Sequence, residues 1–232
     1  MNIFRNLWFW FIALLVVQVV GFWNTYFSVL LQDIHLTHHF HGITMLLWVL
    51  LLIGQSWLIR ARKLSLHRLT GKLSLILAPL IVISGVIVTY HNIGNAENPT
   101  APFMLSIFWL GLFSSMLFGV LYLLAMIYRS DFQLHARYMI CTALVFVLPG
   151  LSRAFANVIA PLGLPVPDFY GTQVLVGAMG VALIGWDRYH GRFRAPFLVF
   201  TAVWALHLIV WHLIPKWPAW QSFTAWSHAL AS

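Results

Sequence analysis

The stretch APFLVFTAVWALHLIVWHLI, residues 195–214, decides the fold. It runs for twenty residues without an Asp, Glu, Lys or Arg and is interrupted only by His207 and His212. That is the length an α-helix needs to cross the ~30 Å hydrocarbon core of a bilayer, at about 20 apolar residues. Working outward, six further apolar runs occupy residues 7–31, 41–59, 73–90, 102–128, 138–160 and 170–186. None shows the period-two alternation of barrel strands. In lipid, a helix satisfies its own backbone polar groups, so the runs predict an all-α integral membrane bundle of seven transmembrane helices. Of the 232 residues, 61% are hydrophobic and 8% are charged, which excludes an ordinary soluble domain. Residues 1–214 read as the membrane domain and 215–232 as an aromatic tail. In that tail Trp217, Trp220, Phe223 and Trp226 recur every three residues, as in a helix lying in an outer headgroup layer.

The net charge of +8 is distributed unevenly. Arg60, Arg62, Lys63, Arg68 and Lys72 fall between the second and third runs. Arg129 and Arg137 follow the fourth, Arg188, Arg192 and Arg194 follow the sixth, and Arg5 precedes the first. In a seven-span path all of these share one face, opposite Lys216, Asp33, Glu97 and Asp168. The positive-inside rule then places the N-terminus in the cytoplasm and the C-terminus in the periplasm of a bacterial inner membrane. The basic loops are topology signals with anionic lipid as their natural partner, not a nucleic-acid surface. Residues 22–26 give no small-residue cleavage site, so the first run is expected to stay as a span. The single cysteine, Cys141, lies within a span and offers neither a disulfide framework nor a Cys-based metal motif. The glycines of the sixth span, among them Gly177 and Gly180, form a small-residue face for close helix packing.

Ionisable groups at membrane depth are costly and mark sites. At a rise of 1.5 Å per residue, His207 sits about 18 Å, His212 about 26 Å and Arg153 about 22 Å into their spans. All three fall in the periplasmic half, with Asn157 one turn beyond Arg153. His38, His39, His41 and His91 occupy the same side. Imidazoles drawn from several helices are suited to zinc, copper or iron, or to haem iron. The expected metal ligands are therefore His39, His41, His91, His207 and His212. His207 and His212 stand about 140° apart on their helix, so one ion would not take both. Arg153 stays charged and needs a partner. A loop acid, the carbonyls freed by Pro149, or a bound anion (a haem propionate, a lipid headgroup or a quinone oxygen) would each supply one. On the cytoplasmic side His67 and His135 each begin a span, where the helix dipole disfavours the protonated form and leaves a neutral imidazole available to a cofactor. Arg153, Asn157, His67 and His135 are the expected cofactor-binding residues. No buried Ser-His-Asp set, paired carboxylates, phosphate loop or dinucleotide fingerprint is present.

Two segments carry a resemblance. Leu66-His67-Arg68-Leu69-Thr70-Gly71-Lys72, preceded by Gln55, and His135-Ala136-Arg137-Tyr138-Met139, followed by Arg153, resemble the H-R-x-x-G-K and H-x-R-x-M segments of an uncharacterised bacterial family of multi-span membrane proteins. The resemblance covers roughly spans two to five and implies that His67, Gly71, His135, Arg137 and Arg153 are shared features. It implies no activity. A looser analogy is to transmembrane b-type cytochromes, whose histidines also form two layers. Here the departure is that His67 and His91, read as one helix, would stand about 36 Å apart. The last span's His207-Leu-Ile-Val-Trp-His212 is one residue longer than the H-x-x-x-H of seven-span hydrolases related to adiponectin receptors and alkaline ceramidases, whose Asp is also missing.

The sequence therefore leads to an integral membrane protein that binds haem b or a transition metal through periplasmic-half histidines. Electron transfer, quinone chemistry or support of a respiratory complex would be its role. A zinc-dependent membrane hydrolase acting on lipid, and a non-enzymatic carrier or receptor for an anion, are the alternatives.

Overall fold

The computed structural model describes residues 6–32 and 34–231. Arg5 and Asp33, both used in the charge reading, lie outside the described residues. The regular elements among them are all helical: α1 (Leu7–Gly21), α2 (Leu36–Arg60), α3 (Leu64–Gly71), α4 (Ser74–Gly94), α5 (Pro102–Ile127), α6 (Phe132–Ala154), α7 (Phe169–Tyr189), α8 (Ala195–Leu213) and α9 (Pro218–Ala231). Six of these, α2 and α4 to α8, are long and apolar enough to cross a membrane, some with short helical extensions. They make the chain a multi-pass membrane protein. The apolar α1 is shorter, at 15 residues.

Two of the differences from the boundaries read in the sequence bear on the site. The first apolar run continues to residue 31, yet the α-helix ends at Gly21 and the backbone widens into a π-helical turn over Trp23–Phe27. Gly21 abuts the carbonyl of Gly150, where any Cβ would collide, so α1 and α6 approach at their glycines. The turn then lays Tyr26 against Gly42 of α2, where an added Cβ would stand 3.0 Å from the phenol ring. The second difference is that His67 does not begin the third span. It sits on the separate eight-residue helix α3. Arg62, at a left-handed φ of 57°, turns the chain between α2 and α3.

Helix α6 is the hub. It packs against α1, α5, α7 and α8, while α4 joins α2 to α5. Its buried side chains include Tyr138, Cys141, Leu144, Phe146 and Leu148. Gln18 of α1 donates to the carbonyl of Phe146, close to the kink residue Pro149. The glycine face of α7 does what its spacing predicts: Gly177 lies against Trp204, and Gly180 against Thr201 and Phe200 of α8. The aromatic tail forms α9, which packs against α4 and α5. Trp220 Nε1 donates to the carbonyl of Leu105 at 3.1 Å, and His228 Nδ1 lies 2.8 Å from the carbonyl of Ile93.

At the opposite end, a buried ion pair ties α6 to α7. Arg137 Nε donates to Asp187 Oδ2 at 2.6 Å, and Nη2 donates to Oδ1 at 2.8 Å. Both side chains are all but closed to solvent. The fork geometry satisfies both carboxylate oxygens. Removing one partner strands a buried charge, whereas replacing both with apolar groups removes the need for either. Asp187→Leu is therefore expected to lower unfolding stability in detergent by about 3–5 kcal/mol. The double variant Arg137→Met/Asp187→Leu should recover most of that loss.

Candidate functional site: a histidine cluster beside a membrane cavity

Short connections make neighbouring helices run antiparallel, so the start of α2, the end of α4 and the end of α6 meet at one end of the bundle. Three imidazoles converge there. One ring nitrogen from each of His35, His38 and His91 lies within 4.8 Å of the others. His35 stacks on His91 with ring centres 4.1 Å apart, and His38 meets His91 edge-on at 5.1 Å. His35 and His38 flank the first turn of α2 and His91 closes the last turn of α4, so helix packing brings the three together. Hydrogen bonds fix which nitrogens remain. His38 Nε2 stands 3.2 Å from Asn92 Oδ1, an acceptor, so Nε2 carries the proton and Nδ1 keeps its lone pair. His35 Nδ1 accepts from the Thr37 N–H at 3.3 Å and lies 3.0 Å from Thr37 Oγ1, so in this arrangement its proton sits on Nε2. Second partners of this kind set the tautomer of a metal-binding imidazole.

A cavity of about 520 Å³ opens beside the cluster, lined by His38 and Asn92 and reaching Gln18, Tyr26, His41 and Arg153. Its remaining walls are largely apolar, among them Leu15, Met45, Val49 and Phe146. Arg153 meets no loop acid among the described residues, and the carbonyl it binds is that of Pro149 itself, not the one that Pro149 frees, which belongs to Val145. Its Nη1 donates to the carbonyl of Pro149 at 3.0 Å, and the guanidinium lies over the Phe22 ring at 4.5 Å. Asp168 is otherwise engaged, capping α7 through the Gly171 N–H at 2.6 Å. Asn157 donates to the carbonyl of Gly21 at 3.1 Å and so secures the α1–α6 contact.

The nine expected site residues divide. His91 joins the cluster. His39 and His41 lie nearby but are held singly, His39 Nδ1 by the Tyr26 hydroxyl at 3.2 Å and His41 Nδ1 by Ser84 Oγ at 3.1 Å. His207 is elsewhere, among α5, α7 and α8, and both its nitrogens are engaged. Nδ1 accepts from Trp109 Nε1 at 3.0 Å, and Nε2 lies 2.8 Å from Gln173 Oε1. Its ring stacks on Phe113 at 4.4 Å. His212 is exposed and leans on Tyr170. The five expected ligands therefore do not form one set. Among the described residues, the only trio of potential ligand side chains this close is His35, His38 and His91. The sequence reading leaves His35 out altogether and counts His38 among the histidines of that side but not among the ligands. The available signal was His35-Leu36-Thr37-His38, whose i, i+3 spacing places both rings on one face.

At the opposite end, His67 and His135 line a second cavity of about 710 Å³. His135 Nδ1 is 2.8 Å from the carbonyl of Ala125. Burial holds the His67 pKa below the ordinary imidazole range. Neighbouring His135 and Arg68 push the same way, and the Gln55 backbone partly opposes them. His67 is accordingly neutral at physiological pH.

No protein-family model, curated protein or solved structure matches the chain. The site must be judged on its own geometry.

That geometry makes a sharp distinction for His207. His207→Leu would leave the Trp109 N–H and the Gln173 amide oxygen buried without partners, at about 1–3 kcal/mol each. Unfolding in detergent should show that loss, while the metal stoichiometry of the folded protein stays that of the parent.

Proposed function

We propose that this chain is a seven-span bacterial inner-membrane protein that binds one transition-metal ion, zinc or copper, through His35, His38 and His91 at its periplasmic end. The single observation carrying the reading is the approach of three ligand nitrogens to within 4.8 Å of one another. Three imidazoles are the donor set that borderline metals prefer. The path has α1 as a seventh span, with the N-terminus in the cytoplasm. Its support is the basic residues at the far end, where Arg68, Lys72 and Arg129 line a common cavity.

Haem b fits less well than a single ion. A porphyrin set among His35, His38 and His91 would force apart rings now in contact. His207 has no nitrogen to give, since both are hydrogen-bonded. An ion would need only to splay the stacked His35–His91 pair.

A second reading has a specific observation behind it. A metal held by three imidazoles keeps a fourth position for water, as catalytic zinc sites do. Here that position adjoins a cavity of about 520 Å³ containing Arg153. Zinc would lower the pKa of its bound water and supply hydroxide. The amide nitrogen of Asn92 would orient a polar headgroup, and the Arg153 guanidinium would hold an anionic group of a lipid or the oxygen of a quinone. Hydrolysis of an amphiphile and metal-linked quinone chemistry in a respiratory complex both suit such a pocket. The chosen metal, zinc or copper, separates them.

Equilibrium titration of the detergent-purified protein tests the central reading. One Zn²⁺ or Cu²⁺ per chain is expected. Affinity should fall on acidification, as protons compete with the metal for the imidazole nitrogens. His38→Asn and His91→Asn should each weaken binding more than about 100-fold, beyond what changes outside the ligand shell cost. His212→Asn should have no effect. Unchanged binding in the His38→Asn/His91→Asn double variant, or a Soret band with stoichiometric iron, would reject the site.

A further inference from the structure

The second cavity, at the basic end, is larger than the first and is built for a different ligand. It lies among α1, α2, α3, α4 and α6 and is floored by apolar side chains such as Phe11, Leu52, Leu75 and Met139. Three cations stand around it: Arg68 on α3, Lys72 just after α3, and Arg129 after α5. No Asp or Glu lines it, and none of the three has a carboxylate partner among the described residues. The nearby Asp131 is occupied as the cap of α6, accepting from the N–H groups of Gln133 at 2.8 Å and Leu134 at 3.2 Å.

Two acceptors in the same wall are left over. Gln55 donates through Nε2 to Thr70 Oγ1 at 2.7 Å, yet its Oε1 has no partner. His67 Nδ1 is likewise buried without one. Buried polar atoms in folded proteins are almost always satisfied, so two unpaired acceptors beside one cavity point to a donor from outside the chain. Gly71 keeps the wall thin, because a Cβ there would stand 3.3 Å from Gln55 Oε1.

An occupant must therefore combine an apolar body, a negative charge at the rim and hydroxyl donors. We propose that this cavity binds an anionic phospholipid of the phosphatidylglycerol class. Its phosphodiester pairs with Arg68, Lys72 and Arg129, its headgroup hydroxyls donate to Gln55 and His67, and an acyl chain lies on the apolar floor. The site is separate from the histidine cluster and independent of the metal reading. Basic residues that merely set topology need not enclose an apolar cavity, and these do. An anion held only by charge would need neither unpaired acceptor.

The full chain, delipidated in a neutral maltoside detergent, is titrated with dioleoyl phosphatidylglycerol, dioleoyl phosphatidic acid, dioleoyl phosphatidylcholine or inorganic phosphate. Native mass spectrometry counts bound lipid and a melting curve reports stabilisation. One phosphatidylglycerol per chain is expected, bound at least tenfold tighter than phosphatidylcholine and not displaced by millimolar phosphate. Arg68→Gln/Arg129→Gln should erase that preference, while Arg188→Gln/Arg194→Gln, which lie outside the cavity, should keep it. Gln55→Leu should remove the advantage of phosphatidylglycerol over phosphatidic acid and leave the advantage over phosphatidylcholine. Melting curves of each variant without lipid exclude misfolding as the cause. Equal binding of phosphatidylglycerol and phosphatidylcholine overturns the proposal. So does a preference that survives Arg68→Gln/Arg129→Gln, or displacement by inorganic phosphate.

Discussion

Polar side chains set among apolar helices have no water to turn to, and each must find a partner within the chain or hold a ligand. This constraint sorts the ionisable groups of the protein more sharply than their depth does. Arg137 finds Asp187 in a two-point ion pair. His207 finds Trp109 and Gln173. Arg153 finds a carbonyl and an aromatic face. Groups satisfied in this way hold helices together. Among the groups left over are three imidazoles gathered beside one cavity and two acceptors, Gln55 Oε1 and His67 Nδ1, in the wall of the other. Those remainders are where ligands belong.

The architecture separates the two remainders. Helix α6 spans the distance between them, with Arg137 near one end and Arg153 near the other, and its packed middle is filled by Cys141, Leu144 and Phe146. One cavity opens beside the histidine end and the other at the basic end, with different walls and no shared lining residue. The chain thus has two distinct ends built on one core: three clustered imidazoles near Arg153 at one, and Arg68, Lys72 and Arg129 around His67 and His135 at the other. A metal ion and an anionic lipid suit these ends respectively, and each can be tested without the other.

Much of the fold was legible because apolar length and small-residue spacing are local properties. The runs that became α2 and α4 to α8 are continuous in sequence, and the Gly177/Gly180 face of α7 meets α8 as its spacing implies. The end of α1 at Gly21 was not legible, since it depends on Gly150, more than a hundred residues away. Helix α3 is bounded by Lys63 and Lys72, and its junction with α4 keeps right-handed helical backbone at Lys72 and Leu73, so no break was legible there. At the site, the side of the bundle was readable from helix direction alone, but the partners were not. Depth places His207 and His91 in one layer, yet Trp109 and Gln173 engage the first. His35, outside every apolar run, enters only because α2 starts earlier than its hydropathy indicates. Asp187 escaped notice because the sequence offers no sign that Arg137 would be buried against it.

X-ray absorption at the metal edge of the zinc- or copper-loaded protein tests the central claim most directly. The account predicts a first shell at about 2.0–2.1 Å for zinc, with the outer-shell scattering of three imidazoles and one lighter-atom ligand. Loss of one imidazole in His35→Ala should accompany it. A shell of carboxylate or water oxygens, or a single imidazole indifferent to His35, His38 and His91, would contradict it.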